Sequence, residues 1–181
     1  MSAERAKHRL VEWLEDIAER EDRAALAALR GSLRDGHAYD ALPLVLPCLG
    51  AQAAEWQEDD ALLLAGLFGL HPAPGRDTLP QALRRIWRGP PISEGVETRF
   101  QALLNAKRAD LATHLRHAVS LLAARGVGID WDELYEAIRF WDHPADRVRR
   151  RWARGFWGEG RDGDESEPAQ SANHAKAETQ P

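Results

Sequence analysis

The chain has 181 residues, 44% of them hydrophobic, and a formal net charge of −5. That length suits one domain and that apolar fraction suffices for a core, so a wholly disordered chain is excluded. The single cysteine, Cys48, excludes a disulfide framework and a cysteine-based zinc site, and fits a reducing, cytoplasmic setting. The opening MSAERAKHRL lacks the apolar run of a signal peptide, and no stretch approaches the roughly 18 apolar residues of a membrane span. A soluble, intracellular protein with no membrane partner is expected.

The net charge conceals a polarity. Residues 1–60 hold thirteen acids and seven bases, residues 61–157 ten acids and fifteen bases, and residues 158–181 six acids and two bases. A cationic second half beside an acidic first half points to a polyanionic partner more than the total does. The bases are 21 Arg and 3 Lys. Arginine suits bidentate contacts to phosphate, although a GC-rich genome produces the same bias.

Helical periodicity dominates, and no segment has the β-branched alternation of a strand. Leu10, Trp13, Leu14 and Ile17 predict an amphipathic helix over about 4–21. A second follows over 23–33, with Asp22 as N-cap and Gly31 near its end. Residues 39–49, broken by Pro43 and Pro47, predict one or two buried helical turns. Residues 59–70 are nearly all apolar and predict the central helix of an N-terminal lobe, followed by a Pro/Gly loop over 71–77.

Thr78 and Gln81 have capping-box spacing, with Pro80 in the first turn of a helix whose inward residues are Leu79, Leu83 and Ile86. Gly89, Pro90 and Pro91 end it, and Ser93 is expected to cap the next, with Val96, Phe100, Leu103 and Leu104 inward. Asp110 starts a long helix, with Leu111, Leu115, Ala118, Val119 and Leu122 on one stripe and Gly126 as its stop. Asp130 and Glu133 form another expected capping box before Trp131, Leu134, Ile138 and Trp141. Pro144 falls in the first turn of a last helix running to about Trp157. Residues 158–181 contain no large apolar residue and read as a disordered acidic tail. The expected fold is an all-α bundle of about eight or nine helices over residues 1–157, with lobes divided between about 72 and 78.

The last helix carries the sharpest geometry. Val148, Trp152 and Phe156, with Ala145, form its inward face, and Arg147, Arg151 and Arg154 fall on one flank with Arg150 beside them. Like charges at i, i+4 repel by roughly 0.2–0.5 kcal/mol, so an unpaired row favours an anion. The plain alternatives are a solvated face, or arginines paired with acids of the N-terminal half. Trp157 falls opposite the inward stripe, which leaves partner packing and a frayed end as alternatives. Further basic sets are Arg84, Arg85 and Arg88 on one helix, and Arg99, Lys107, Arg108 and Arg116, with Lys107 and Arg108 at a helix–helix corner. Such patches suit a groove that tracks a phosphate backbone. No base-reading motif accompanies them, so weak sequence specificity is expected.

Catalytic readings are poor. His114 and His117, with Asp110 one turn back, make at most a partial metal set, and the acids Glu58, Asp59 and Asp60 suit the positive end of a helix dipole. No GxSxG, phosphate-cradling glycine loop or Cys/His pair is present. No catalytic residue, metal site or cofactor is expected.

Several blocks together resemble one family. WQEDDALLLAGLFGLHP (56–72), TLPQALRRI (78–86), VETRFQALLNAKR (96–108), LRHAVSLLAARGVGIDWDELYEAIRFWDHP (115–144) and VRRRWARGFW (148–157) are similar to successive segments of CasB, the small subunit of type I-E CRISPR Cascade. DRAALAALR (22–30) is similar to that family's N-terminal region. The resemblance runs over about 22–157, and the IDW…W.HP…RWARGFW run is its specific part. Pro80 replaces a usual glycine, and Lys107 stands where an acid is common. The resemblance implies an all-α, non-enzymatic subunit present in two copies along a crRNA-guided complex. Its partners would be the other Cascade subunits, the crRNA, and the target and displaced DNA strands of the R-loop. It also carries Arg84, Arg85, Arg99, Lys107, Arg108, Arg116, Arg147, Arg150, Arg151 and Arg154 onto this chain as backbone contacts, with Lys107, Arg108 and Arg116 foremost, while Arg88 is a candidate only from its place beside Arg84 and Arg85. A protein–protein scaffold with no nucleic-acid contact and, behind it, a metal-dependent nuclease are the competing readings.

Overall fold

The computed structural model describes residues 7–34, 37–89 and 95–158. Among these it is all-α, with nine α-helices and no strand: α1 (Arg9–Glu19), α2 (Arg23–Gly31), α3 (Leu42–Leu49), α4 (Glu55–Leu70), α5 (Leu79–Arg88), α6 (Val96–Leu104), α7 (Arg108–Arg125), α8 (Trp131–Arg139) and α9 (Arg147–Ala153). A 3-10 turn, Ala38–Ala41, precedes α3, and a π-helical turn, Arg154–Gly158, continues α9. The expected Ser93 cap, Pro90, Pro91, residues 1–6 and the tail from 159 lie outside the described residues. No described helix is long and apolar enough to cross a membrane.

The centre is α4. It is apolar on nearly every side, and Ala61, Leu64, Ala65, Leu67 and Phe68 are fully buried, as a helix without a polar face must be. Two of its glycines permit close packing on α2. A Cβ at Gly69 would stand 2.6 Å from the Arg30 backbone nitrogen, and one at Gly66 would stand 2.7 Å from Leu33 Cδ2. Helix α2 begins where Asp22 accepts a hydrogen bond from the Ala25 N–H at 3.0 Å. Helix α1 buries Leu10, Val11, Leu14 and Ile17, and tertiary contact holds its start. The His8 N–H donates to Asp132 Oδ1 at 2.7 Å, and the His8 ring Nδ1 lies 2.7 Å from the same oxygen.

One buried cluster runs from α1 through α4 to the π turn. A short extended pairing joins the loop before α5 to the approach to α8. Gly75 N–H donates to Ile129 O at 2.7 Å, and Ile129 N–H donates to Ala73 O at 3.2 Å, a parallel bridge that periodicity does not reveal. Trp131 and Trp141, each 1% exposed, complete their burial by donating indole N–H bonds to Ala73 O and Ala106 O.

Three local expectations are corrected. Helix α7 begins at Arg108, with Lys107 as N-cap, so Asp110 is its third residue. Pro144 precedes α9, which starts after Asp146 (φ 48°), because the chain turns sharply between the two helices. Asp130 caps α8 by accepting from the Asp132 and Glu133 N–H groups, both at 3.0 Å, but Glu133 does not return the bond. Its Oε1 accepts instead from Trp152 Nε1 at 3.0 Å and Arg151 Nη2 at 2.8 Å, which ties α8 to α9.

Candidate nucleic-acid interface

Helix α9 and its π turn carry five arginines, and packing divides them. Arg149, half-buried, lies 4.9 Å over the Trp141 ring and donates to Asp146 Oδ1 at 2.7 Å and Ala106 O at 3.2 Å. Asp142 stands 3.6 Å from it. Asp146, the acid nearest the cationic row in sequence, is therefore occupied by Arg149. Arg151 pairs with Glu133 at 2.8 Å. Arg147, Arg150 and Arg154 are exposed and make no ion pair with the described residues.

Glu133 is largely buried, which raises its carboxyl pKa, while the Trp152 and Arg151 contacts oppose the rise. The π turn also resolves the two readings of Trp157. Its wider i→i+5 turn departs from the α-helical angle assumed for Trp157, which packs inward 5.3 Å from Phe100 and donates to Glu97 Oε1 at 2.9 Å. Neither partner packing nor fraying is needed to place it.

Two shallow grooves meet at Gln81. One, of about 550 Å³, lies along α5 and is lined by Asp77, Arg84, Arg85 and Arg88. The other, of about 490 Å³, lies between the start of α5 and the π turn, with Arg151, Arg154, Gly155 and Gly158 on its walls. The fold thus places in neighbouring grooves two basic sets that the sequence put in separate patches, with the acids Asp77 and Glu133 on the same walls. Along α5, Arg85 pairs with Asp77, and Arg88 lies 5.6 Å over the Trp87 ring.

The remaining set is dispersed. Arg108 pairs with Asp60, which is 1% exposed, and donates to Ile138 O at 2.6 Å, clamping α7 to α4 and α8. Burial lowers the Arg108 guanidinium pKa against the opposing fields of Asp142 and Asp59. Asp60 is therefore a buried counter-ion rather than a dipole-end acid. Arg116 donates to Leu33 O. Lys107, at the α6–α7 corner, is exposed without a described partner. Arg99 lines a separate 160 Å³ cavity with His114, His117 and Phe100. Among the described residues no group of three His, Cys, Asp or Glu could hold a metal ion. The sequence reading omitted Arg149 from the basic sets, and its i, i+3 spacing to Asp146 was the available clue.

The sequence profile of CRISPR-associated protein Cse2 matches residues 22–157. A CRISPR-associated Cse2 protein of Thermus thermophilus is 34% identical over 159 residues, covering 84% of this chain and 90% of that one. The crystal structure of CasB from Thermus thermophilus superposes with a TM-score of 0.70 at 32% identity, covering 83% of this chain and 96% of the other. A chain of a CRISPR RNA-guided surveillance complex has the same fold, with a TM-score of 0.66 at 22% identity and 81% and 88% of the two chains covered.

Proposed function

The chain belongs to the CRISPR-associated Cse2 family, and from that premise we propose that it is a non-catalytic small subunit of a crRNA-guided Cascade complex in the cytoplasm. It binds nucleic-acid backbone without sequence specificity and stabilises the R-loop in antiviral defence. Its partners are the other subunits and crRNA, the target and displaced DNA strands, and a second copy of itself. The observation that carries this reading is the trio Arg147, Arg150 and Arg154, exposed and without described ion pairs on one helix, with Arg154 also lining a groove that adjoins the one lined by Arg84, Arg85 and Arg88. Guanidinium groups without internal carboxylates suit phosphate, and like-charge repulsion along the helix is relieved when an anion binds.

Arg108 and Arg116 support the interface by position. Both are hydrogen-bonded within the protein, so their contribution is to hold the α6–α7 corner and the α2 end in place. Lys107 and Arg99 remain available as peripheral phosphate contacts. The test is oligo-dT binding across salt. Three to five phosphate contacts give a slope of log K on log salt of about −2 to −3.5. Changing Arg147, Arg150 and Arg154 together to Gln should flatten that slope by about 2. Salt-independent affinity overturns the reading.

A scaffold reading has its own supporting observation. Trp56 (52% exposed) and Phe140 (47% exposed) flank Arg139, whose guanidinium lies 5.8 Å from both rings. Aromatic residues grouped with arginine have the composition of protein-interface hot spots. Substituting the arginine trio in the assembled complex separates the two: weakened R-loops with intact assembly favour nucleic-acid contact, and failed assembly favours the scaffold.

A further inference from the structure

We propose that residues 159–167 act as an intramolecular anionic competitor, docking on Arg147, Arg150 and Arg154 and in the groove beside Gly158. The proposal rests on the nucleic-acid reading above for its consequence, and on the following geometry for its contact. The described fold ends at Gly158, which itself lines the groove containing Arg151 and Arg154. The next nine residues, EGRDGDESE, carry five carboxylates and one arginine, so the anionic segment starts where the chain leaves the cationic wall. Gly155 and Gly158 present no side chain to that groove, which leaves room for a peptide strand.

Reach is sufficient. From Arg147 to Gly158 the helical rise is roughly 17 Å, and nine extended residues span up to about 30 Å. The charges are opposite in sign: three exposed guanidinium groups without described ion-pair partners face five carboxylates, Glu159, Asp162, Asp164, Glu165 and Glu167, with only Arg161 among them. A tether of this length holds the carboxylates at an effective concentration of about 1 mM or more. A weak peptide–arginine interaction is then substantially occupied without any intermolecular partner. The consequence is selectivity. Stray single strands must displace the segment, whereas a strand held in register by an assembled complex makes further contacts and displaces it readily.

The test uses the full-length chain with Glu159→Gln, Asp162→Asn, Asp164→Asn, Glu165→Gln and Glu167→Gln combined, and Glu178→Gln as the control. Without nucleic acid, at low salt, the arginine Nε–Hε resonances of Arg147, Arg150 and Arg154 should move in the five-fold variant and stay in place in the control, while Arg99 is unmoved. With 20-residue oligo-dT, the five-fold variant should bind about 3- to 10-fold tighter at 50 mM salt and converge on the parent at high salt. Unmoved arginine resonances overturn the docking, and so does a parental dependence of those resonances on protein concentration, which would place the segment on a second copy. Tight, salt-sensitive DNA binding that neutralisation leaves unchanged overturns the competition alone. Absence of DNA binding by both chains removes the nucleic-acid reading, and the resonances still decide the docking.

Discussion

Asp60 and Arg108 form a pair whose loss would be felt throughout the helical bundle. Asp60 is 1% exposed and Arg108 joins three helices, so Asp60→Ala leaves a partly buried guanidinium uncompensated. Breaking such a pair costs about 3–5 kcal/mol, whereas replacing both members with apolar residues of similar volume is often neutral. Urea denaturation should therefore show Asp60→Ala strongly destabilised and Asp60→Leu/Arg108→Met largely recovered. Charge reversal at Arg108 is accordingly an unsuitable probe of DNA contact, because its first effect is on the fold. Glu133 makes a second prediction. Burial raises its pKa above the ordinary 4.5, so the folded chain holds this proton at pH values where the unfolded chain has released it. Its contribution to stability is present below pH 4.5, declines as pH rises from there to the raised folded value, and is flat above. Glu133→Gln should remove that decline from a pH series of denaturation midpoints, and an unaltered profile would contradict the assignment.

At the scale of elements, the α2–α4 contact depends on two glycines within an otherwise apolar helix. Gly69→Val would push side-chain carbons against the backbone of Arg30 and Leu26. Overpacking of this kind costs about 1–3 kcal/mol, with a matching fall in melting temperature. Gly31→Ala, where an added Cβ meets nothing within 4 Å, should leave stability unchanged or slightly higher. The run ALLLAGLFGL revealed that this helix is buried, because a helix with no polar face has no other stable place. It did not reveal that its glycines mark the helix approached most closely, since either partner side could have used them. The Asp22 cap was legible because capping is local in sequence. Glu133 was misassigned because a capping box and an inter-helix carboxylate share one spacing, and only Arg151 and Trp152, 18 and 19 residues away, decide between them.

For the whole molecule, the continuous core predicts one cooperative transition, although the sequence suggested lobes on either side of residues 72–78. Buried residues from α1 to the π turn form a single cluster, and the Gly75–Ile129 and Ala73–Trp131 bonds tie the intervening loop to α8. Helical circular dichroism and tryptophan fluorescence should report coincident thermal transitions; two separated midpoints would show lobes that unfold independently.

The stretch 129–157 shows where the two kinds of information divide. By itself the sequence determined that this protein is helical, that the tryptophans of this stretch belong mainly to a core, and that its arginines are concentrated near the end of the fold. Those properties follow from periodicity, local capping and composition, all of which are read within a few residues. Tertiary structure alone decided which arginines are engaged within the fold. Arg108 meets Asp60, Arg151 meets Glu133 and Arg116 meets Leu33 O. A guanidinium is engaged by whichever acceptor, carboxylate or carbonyl, folding brings within reach, and separations of 18 to 83 residues along the chain leave no periodic trace.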